Sequence, residues 1–260
     1  MGPGRLRHAQ RFAAATALAI ASFFTNPLNP LTERYAYAQT PNHTNAPRTC
    51  SRDYPSVQDP LAMSPEMERL AQIIERGSTD PYERVSKLYA VLRSMRPRGD
   101  DSIARLPLSA AVAFHRREGR CGEFTSIVTA YLMRWNMPGG ALIINLDGTQ
   151  LRHFAPYIRV GDQEILIDQL LAEDGPRRFP GAIPETFSGR DYNHVRVIDS
   201  VRYEEVPFVY HYEAGRYFMR CPGLEPLARR AFREAGNTFR QTLALRESGY
   251  RPASRRRRRR

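Results

Sequence analysis

The apolar residues of this chain change their spacing near residue 140, and that change limits the fold more than any other feature. From Met67 to Trp135 they recur every three or four positions, the repeat of helices with one buried face. From Ala141 to Asp168 they come as short runs and alternations, the repeat of strands. Helices first, then a mostly antiparallel sheet, then a last helix make an α+β domain. The sequence contains no internal repeat.

Local signals place the elements. Ser64 can cap a helix, Pro65 suits its first position and Gly77 its end, with Met67, Leu70, Ile73 and Ile74 as the buried stripe. Asp80, Pro81 and Glu83 form a capping-box pattern for a second helix that buries Tyr82, Val85, Leu88, Tyr89 and Leu92. After the loop RPRGDD (96–101), residues 108–119 read as a short helix, and another starts at Cys121. On it Phe124, Ile127, Val128, Tyr131, Leu132 and Trp135 make a stripe wide enough for a central helix, and "NMPGG" (136–140) stops it. The run 141–146 ends at Asp147-Gly148, a strong turn signal. Residues 152–160 alternate, with His153, Ala155, Tyr157 and Arg159 on one face and Phe154, Pro156, Ile158 and Val160 on the other. Pro156 predicts an edge or a bulge. Gly161-Asp162 turns the chain into a strand over 164–168. A long loop containing "AEDGPRRFPGAIP" follows, then two further strands, "NHVRVID" and "VPFVYHY", and a final helix over 226–247.

The two ends read differently from the middle. A basic start precedes the apolar run Phe12–Phe24, thirteen residues long, too short for the roughly 20 that span a bilayer. Cleavage after Ala38 makes residues 1–38 an export signal, which predicts a secreted or periplasmic protein with no transmembrane span. Residues 39–63, rich in Pro, Asn and Thr, form a linker or strap, residues 64–250 a single domain, and 251–260 an arginine-rich tail. Six of the twelve net positive charges lie in Arg255–Arg260, and Arg5, Arg7 and Arg11 supply three more. The three that remain exclude a basic nucleic-acid platform, while the tail is a solvated block that can contact anionic surfaces. Three cysteines remain after cleavage, an odd number for an oxidising compartment. Cys50 and Cys221 lie in polar, turn-rich contexts that suit a disulfide, and Cys121 is then the free thiol.

Cys121 stands in the first turn of its helix, where unpaired backbone N–H groups carry about half a positive charge. That field, with Arg120 beside it, favours thiolate over thiol. A thiolate nucleophile needs a proton donor for the leaving group, and His153 is the candidate. Residues facing each other about the Gly161-Asp162 turn put Asp168 next to His153, where a carboxylate orients the ring. His194 competes for the role; His115 and His211 have no carboxylate on a neighbouring hairpin strand. No metal-ligand spacing and no phosphate-cradling glycine loop occur, so neither metal nor cofactor is expected.

At Gly119, Cys121, Phe124, "WNMPGG", His153 and Asp168 the chain resembles the transglutaminase-like superfamily of cysteine enzymes. Within it, "HFAPYIRVGDQEILIDQLL" is most similar to the bacterial secreted protein-glutaminases. The resemblance implies a transglutaminase- or papain-like core and deamidation of protein-borne glutamine through a thioester. Cys121 would be nucleophile, His153 acid–base and Asp168 its orienter. Partners would be proteins or peptides with accessible glutamine. Such enzymes can carry an inhibitory pro-segment, for which residues 39–105 have room. A transglutaminase or peptidase-like acyl transferase is the alternative within the same chemistry. An inactive binding module is the alternative outside it, with the tyrosine-rich "VYHYEAGRYF" as its surface.

Overall fold

Helices begin where the sequence punctuates them. The computed structural model describes residues 50–52, 59–97, 106–146, 152–168, 175–188 and 194–247. All of them belong to one unit, Ala46–Arg260. The export signal 1–38, the turn Asp147-Gly148 and the tail 251–260 lie outside the described residues. Helix α1 spans Pro65–Arg76; the Ser64 hydroxyl accepts from the Met67 N–H and Gly77 closes the end. Its buried residues are Met67, Ala71 and Ile74, whereas Ile73 is 65% exposed. Consecutive helical residues are rotated by about 100°, so Ile73 and Ile74 cannot both face a narrow contact. Helix α2 spans Pro81–Leu92, capped by Asp80, whose carboxylate accepts from the Glu83 N–H at 2.9 Å. Glu83 reaches back to the N–H of Thr79, one residue before the cap, rather than to Asp80 itself. Strand β1 (Arg96–Pro97) pairs in parallel with β2 (Glu118–Gly119), and between them lies α3, Ala110–Arg116. That helix is shorter than the spacing predicts because Arg117 adopts a left-handed conformation (φ 54°) and breaks it.

Helix α4, Cys121–Arg134, is the centre of the molecule: all ten residues from Glu123 to Leu132 are buried. Phe124, Ile127 and Tyr131 share a core with Met67 of α1 and Leu88 of α2. The same core includes Ala141, Ile158 and Ile165 of the sheet. Each such side chain contributes about 1.5–3 kcal/mol on burial, which outweighs the marginal propensity of helices this short.

The sheet has six strands in the order β6-β5-β4-β3-β8-β7, every neighbour antiparallel. They are β3 (Gly139–Leu146), β4 (Arg152–Val160), β5 (Gln163–Leu166), β6 (Arg177–Pro180), β7 (Thr186–Phe187) and β8 (Val195–Arg202). The stretch expected as one long loop therefore holds two short edge strands. Where β3 meets β8 the register skips Ile198, which is left 42% exposed. Strand β4 pairs with β3 along Arg152–Ile158 but with β5 only over Tyr157–Val160, so Pro156 marks a local edge on the β5 side, as expected, and not a bulge. Pro156 falls where the β4–β5 ladder ends: the Ile167 N–H donates to its carbonyl, but proline has no N–H with which to return the bond. The last paired residues are Tyr157 and Leu166, and the chain beyond them leaves the ladder.

The segment "VPFVYHY" is helical, not a strand. It opens α5, Val206–Met219, after a 3-10 turn at Tyr203–Glu205. Its β-forming composition is overridden by position: Pro207 lies in the first turn, and Val206, Tyr210, Ala214, Tyr217 and Phe218 bury one helical face. Tyr210 and Tyr217 are thus core residues rather than an aromatic surface. Helix α6, Glu225–Glu247, packs against α5, and at Gly215 a Cβ would lie 2.6 Å from the Phe232 ring. A disulfide joins Cys50 to Cys221 at the α5–α6 corner, and the Ser51 N–H donates to the Tyr217 hydroxyl. Leu61 enters the core and the Pro60 carbonyl accepts from the Ala110 N–H, so the segment ahead of α1 is strapped onto the domain. No described helix is long and apolar enough to cross a membrane.

Candidate active site

Cys121 is the first residue of α4, preceded by Arg120 in extended conformation (φ −95°, ψ −178°). It is the free cysteine and is partly exposed, at the open end of a helix that is otherwise enclosed from Glu123 to Leu132. The junction is held by Glu123, which is 2% exposed. Its carboxylate accepts from the Arg120 N–H (3.0 Å), the Arg120 guanidinium (3.2 Å) and the Leu108 N–H (3.3 Å). Two backbone segments and the helix start are therefore tied to one buried carboxylate.

His153 stands on β4 opposite Ile144 of β3, and its alternation puts it on the same face as Ala155. Its Nε2 lies 2.8 Å from Asp168 Oδ2, with both side chains buried. Asp168 does not reach it through the ladder. It sits two residues past the end of β5, in the segment that Pro156 releases from pairing. Nε2 donating to the carboxylate leaves Nδ1 for the hydrogen bond between the imidazole and the Cys121 sulfur. A third group completes the sulfur's surroundings. The Arg159 N–H donates toward β3, so the N–H of Phe154, of opposite parity, lies in the sheet plane on the β5 side. With the ladder ended there, it faces the sulfur and favours its charged form.

These contacts set the charges. Burial works against a thiolate at Cys121, but the hydrogen bond and charge of His153 and the Phe154 N–H bring the thiol below its ordinary value. Burial also works against an imidazolium, yet the charge and hydrogen bond of Asp168, and then those of Cys121, raise His153 above its ordinary value. The two directions agree: each group stabilises the charged form of the other, and the pair titrates as one unit. Arg120 and Cys121 stabilise each other's charged forms, but the closer partner of Arg120 is Glu123. Its guanidinium binds Glu123, whose own charge opposes ionisation of Cys121. The largest stabilisation of the thiolate comes from the histidine and the strand amide, with Arg120 adding its charge.

The structure brings together Cys121, His153 and Asp168, and the other described histidines, His115, His194 and His211, stand on other elements. His194 precedes β8, on the far side of β3 from β4. His115 is exposed and lies 3.8 Å from Glu66. His211 is buried on α5, where burial pushes it down to about 4. Sequence reasoning missed the Phe154 amide, a backbone group with no residue signature. It also missed the Arg120–Glu123 pair; Glu123 does lie three residues after the cap, but arginine is not a capping residue, so the pattern goes unnoticed. Among the described residues no group of three or more His, Cys, Asp and Glu side chains is arranged to hold a metal ion. Compared with known proteins, the chain matches no protein-family model, no curated protein and no solved structure.

Proposed function

We propose that the protein is an exported cysteine amidohydrolase that deamidates glutamine side chains of proteins, with Cys121, His153 and Asp168 as its catalytic triad. One observation carries the reading: His153 lies between a thiol and a carboxylate, bonded to both. A nucleophile, a proton carrier and a group that orients the carrier are the set required for acyl transfer. The sequence resemblance to secreted protein-glutaminases selects glutamine among acyl donors. The Cys50–Cys221 disulfide suits an oxidising compartment.

In this mechanism the Cys121 thiolate attacks the side-chain carboxamide carbon and a C–S bond forms. The N–H groups of Cys121 and Gly122 at the start of α4 face the developing negative charge on oxygen. The His153 imidazolium gives its proton to the departing nitrogen, the C–N bond breaks and ammonia leaves. The thioester remains. Neutral His153 then takes a proton from water as water attacks; the C–S bond breaks, thiolate and imidazolium are restored, and glutamate is released. Asp168 keeps its bond to Nε2 throughout, so Nδ1 always faces the reacting atoms.

Purified protein incubated with casein tests this. Ammonia release with a mass gain of about 1 Da per site, in intact polypeptide, is expected of a hydrolase that passes through a thioester. Cross-linking or uptake of a labelled amine would replace water by an amine as acceptor, and cleaved peptide bonds would make the protein a peptidase. No reaction, with a thiol inert to iodoacetamide at about pH 6, would leave a binding module.

A further inference from the structure

Solvent meets the front of α4 at two residues. From Glu123 to Leu132 the helix is enclosed, while Cys121 and Gly122 are partly exposed. Glycine is an unfavourable choice inside a helix, second only to proline. Nothing among the described residues calls for it at position 122. The residue is helical with no left-handed φ, and an added Cβ would meet no atom of the described residues within 4 Å. Gly119, on the other side of Cys121, is the contrast: a Cβ there would come to 3.0 Å from Glu123 Cβ and 3.3 Å from Met95 Cε. One glycine is tightly packed; the other, next in sequence to the sulfur, is clear of every described residue.

We propose that Gly122 is a specificity-determining residue: its missing side chain keeps open the approach over the first turn of α4 by which a glutamine borne on a polypeptide reaches Cys121. The inference rests on the hydrolase reading above and narrows its substrate class. A glutamine side chain holds its carboxamide only two methylenes from Cα. To bring that carbon to the sulfur, the main chain carrying it must pass close to the helix start. Flanking peptide on both sides then crosses the rim, and the bulk that a side chain at 122 would exclude belongs to that peptide. A small free amide needs no such clearance.

Gly122→Ala and Gly122→Val test this, with casein, a short blocked glutamine peptide, iodoacetamide and a bulky aromatic maleimide as probes. Gly122→Ala is expected to raise Tm by about 2–4 °C, since alanine is the better helix former in a domain of this size. It should also lower kcat/KM on casein by about 10-fold, and Gly122→Val by more, the size of effect that one or two methylenes produce in a substrate site. The short peptide should lose less, and the iodoacetamide rate should stay within about 2-fold because the thiolate is untouched. Greater thermal stability with poorer turnover of protein substrate separates access from damage to the fold. Unchanged kcat/KM on casein in both variants would overturn the proposal, as would equal slowing by iodoacetamide and the maleimide. Should the wild type release no ammonia from casein, the hydrolase reading fails by itself. The claim about access is then decided by the maleimide-to-iodoacetamide rate ratio: a fall of about 5-fold or more in Gly122→Val upholds it and an unchanged ratio overturns it.

Discussion

His153 Nε2 and Asp168 Oδ2 lie 2.8 Å apart although the two residues are not partners in the sheet. His153 faces Ile144, and the ladder toward Asp168 has already ended at Leu166. Pro156 makes the difference, because it accepts a bond from Ile167 but returns none. The chain after β5 is thereby free to turn its carboxylate toward the ring. Asp168→Asn keeps the shape but removes the charge that raises His153. We expect kcat to fall by about 10²–10⁴-fold and the alkaline limb of the pH profile to move to lower pH. Steady-state rates across pH check this; an alkaline limb that stays in place would remove Asp168 from the proton pathway.

The pH dependence has a definite sign on both sides. Cys121 is shifted down, so the nucleophile forms below the roughly 8.5 of a free thiol, and activity rises with pH through that lowered value. His153 is shifted up, so the proton donor persists above the roughly 6.5 of a free imidazole, and activity falls only once pH passes that raised value. A bell with a neutral plateau is expected. Iodoacetamide alkylation, which needs the thiolate alone, should follow the acid limb. Alkylation that begins only near the value of a free thiol would contradict the ion pair.

Removal of the sulfur should leave the fold intact, since Cys121 is small and only partly buried. Cys121→Ala is expected to lower turnover by about 10³-fold or more with an unchanged circular dichroism spectrum. His153→Ala should be comparably severe and His194→Ala mild, because only the former touches the sulfur. Ammonia release from casein ranks the three variants, and a more damaging His194→Ala would mean that the wrong imidazole has been assigned.

Glu123 is a structural anchor with a cost attached to its loss. Glu123→Ala leaves the Arg120 guanidinium and two backbone N–H groups without their carboxylate. Loss of a fully buried pair costs about 3–5 kcal/mol; here about 2–3 kcal/mol is expected, because Arg120 still reaches solvent. Guanidinium titration measures it. A cost below about 1 kcal/mol would place this pair with ordinary surface ion pairs.

The bond between Cys50 and Cys221 closes a loop of 171 residues. Cys50→Ser should lower stability by about 2–4 kcal/mol, mainly by releasing the unfolded chain. Thiol titration of the unreduced wild type should find one reactive group, Cys121. Three groups would mean that the bridge is not formed.

Much of this architecture is written in short stretches. Ser64, Pro65 and Gly77 delimit α1, and residues 152–160 form the strand that their alternation predicts, because caps and side-chain periodicity act over a few residues. The free thiol at the start of a helix was legible for the same reason. The stretch Val206–Tyr212 was misread because a window of β-branched and aromatic residues looks alike in strand and helix; only the longer spacing out to Phe218, buried against α6, decides it. Tertiary structure alone decided how the candidate site residues are bonded. It placed the start of α4 beside the end of the β4–β5 ladder, set the Phe154 N–H against the sulfur, and bound Arg120 to Glu123 as well as facing its charge to the thiol. Those outcomes depend on which hydrogen-bonding groups are left over once strands and helices have paired, a property of the assembled fold that no local run of residues contains.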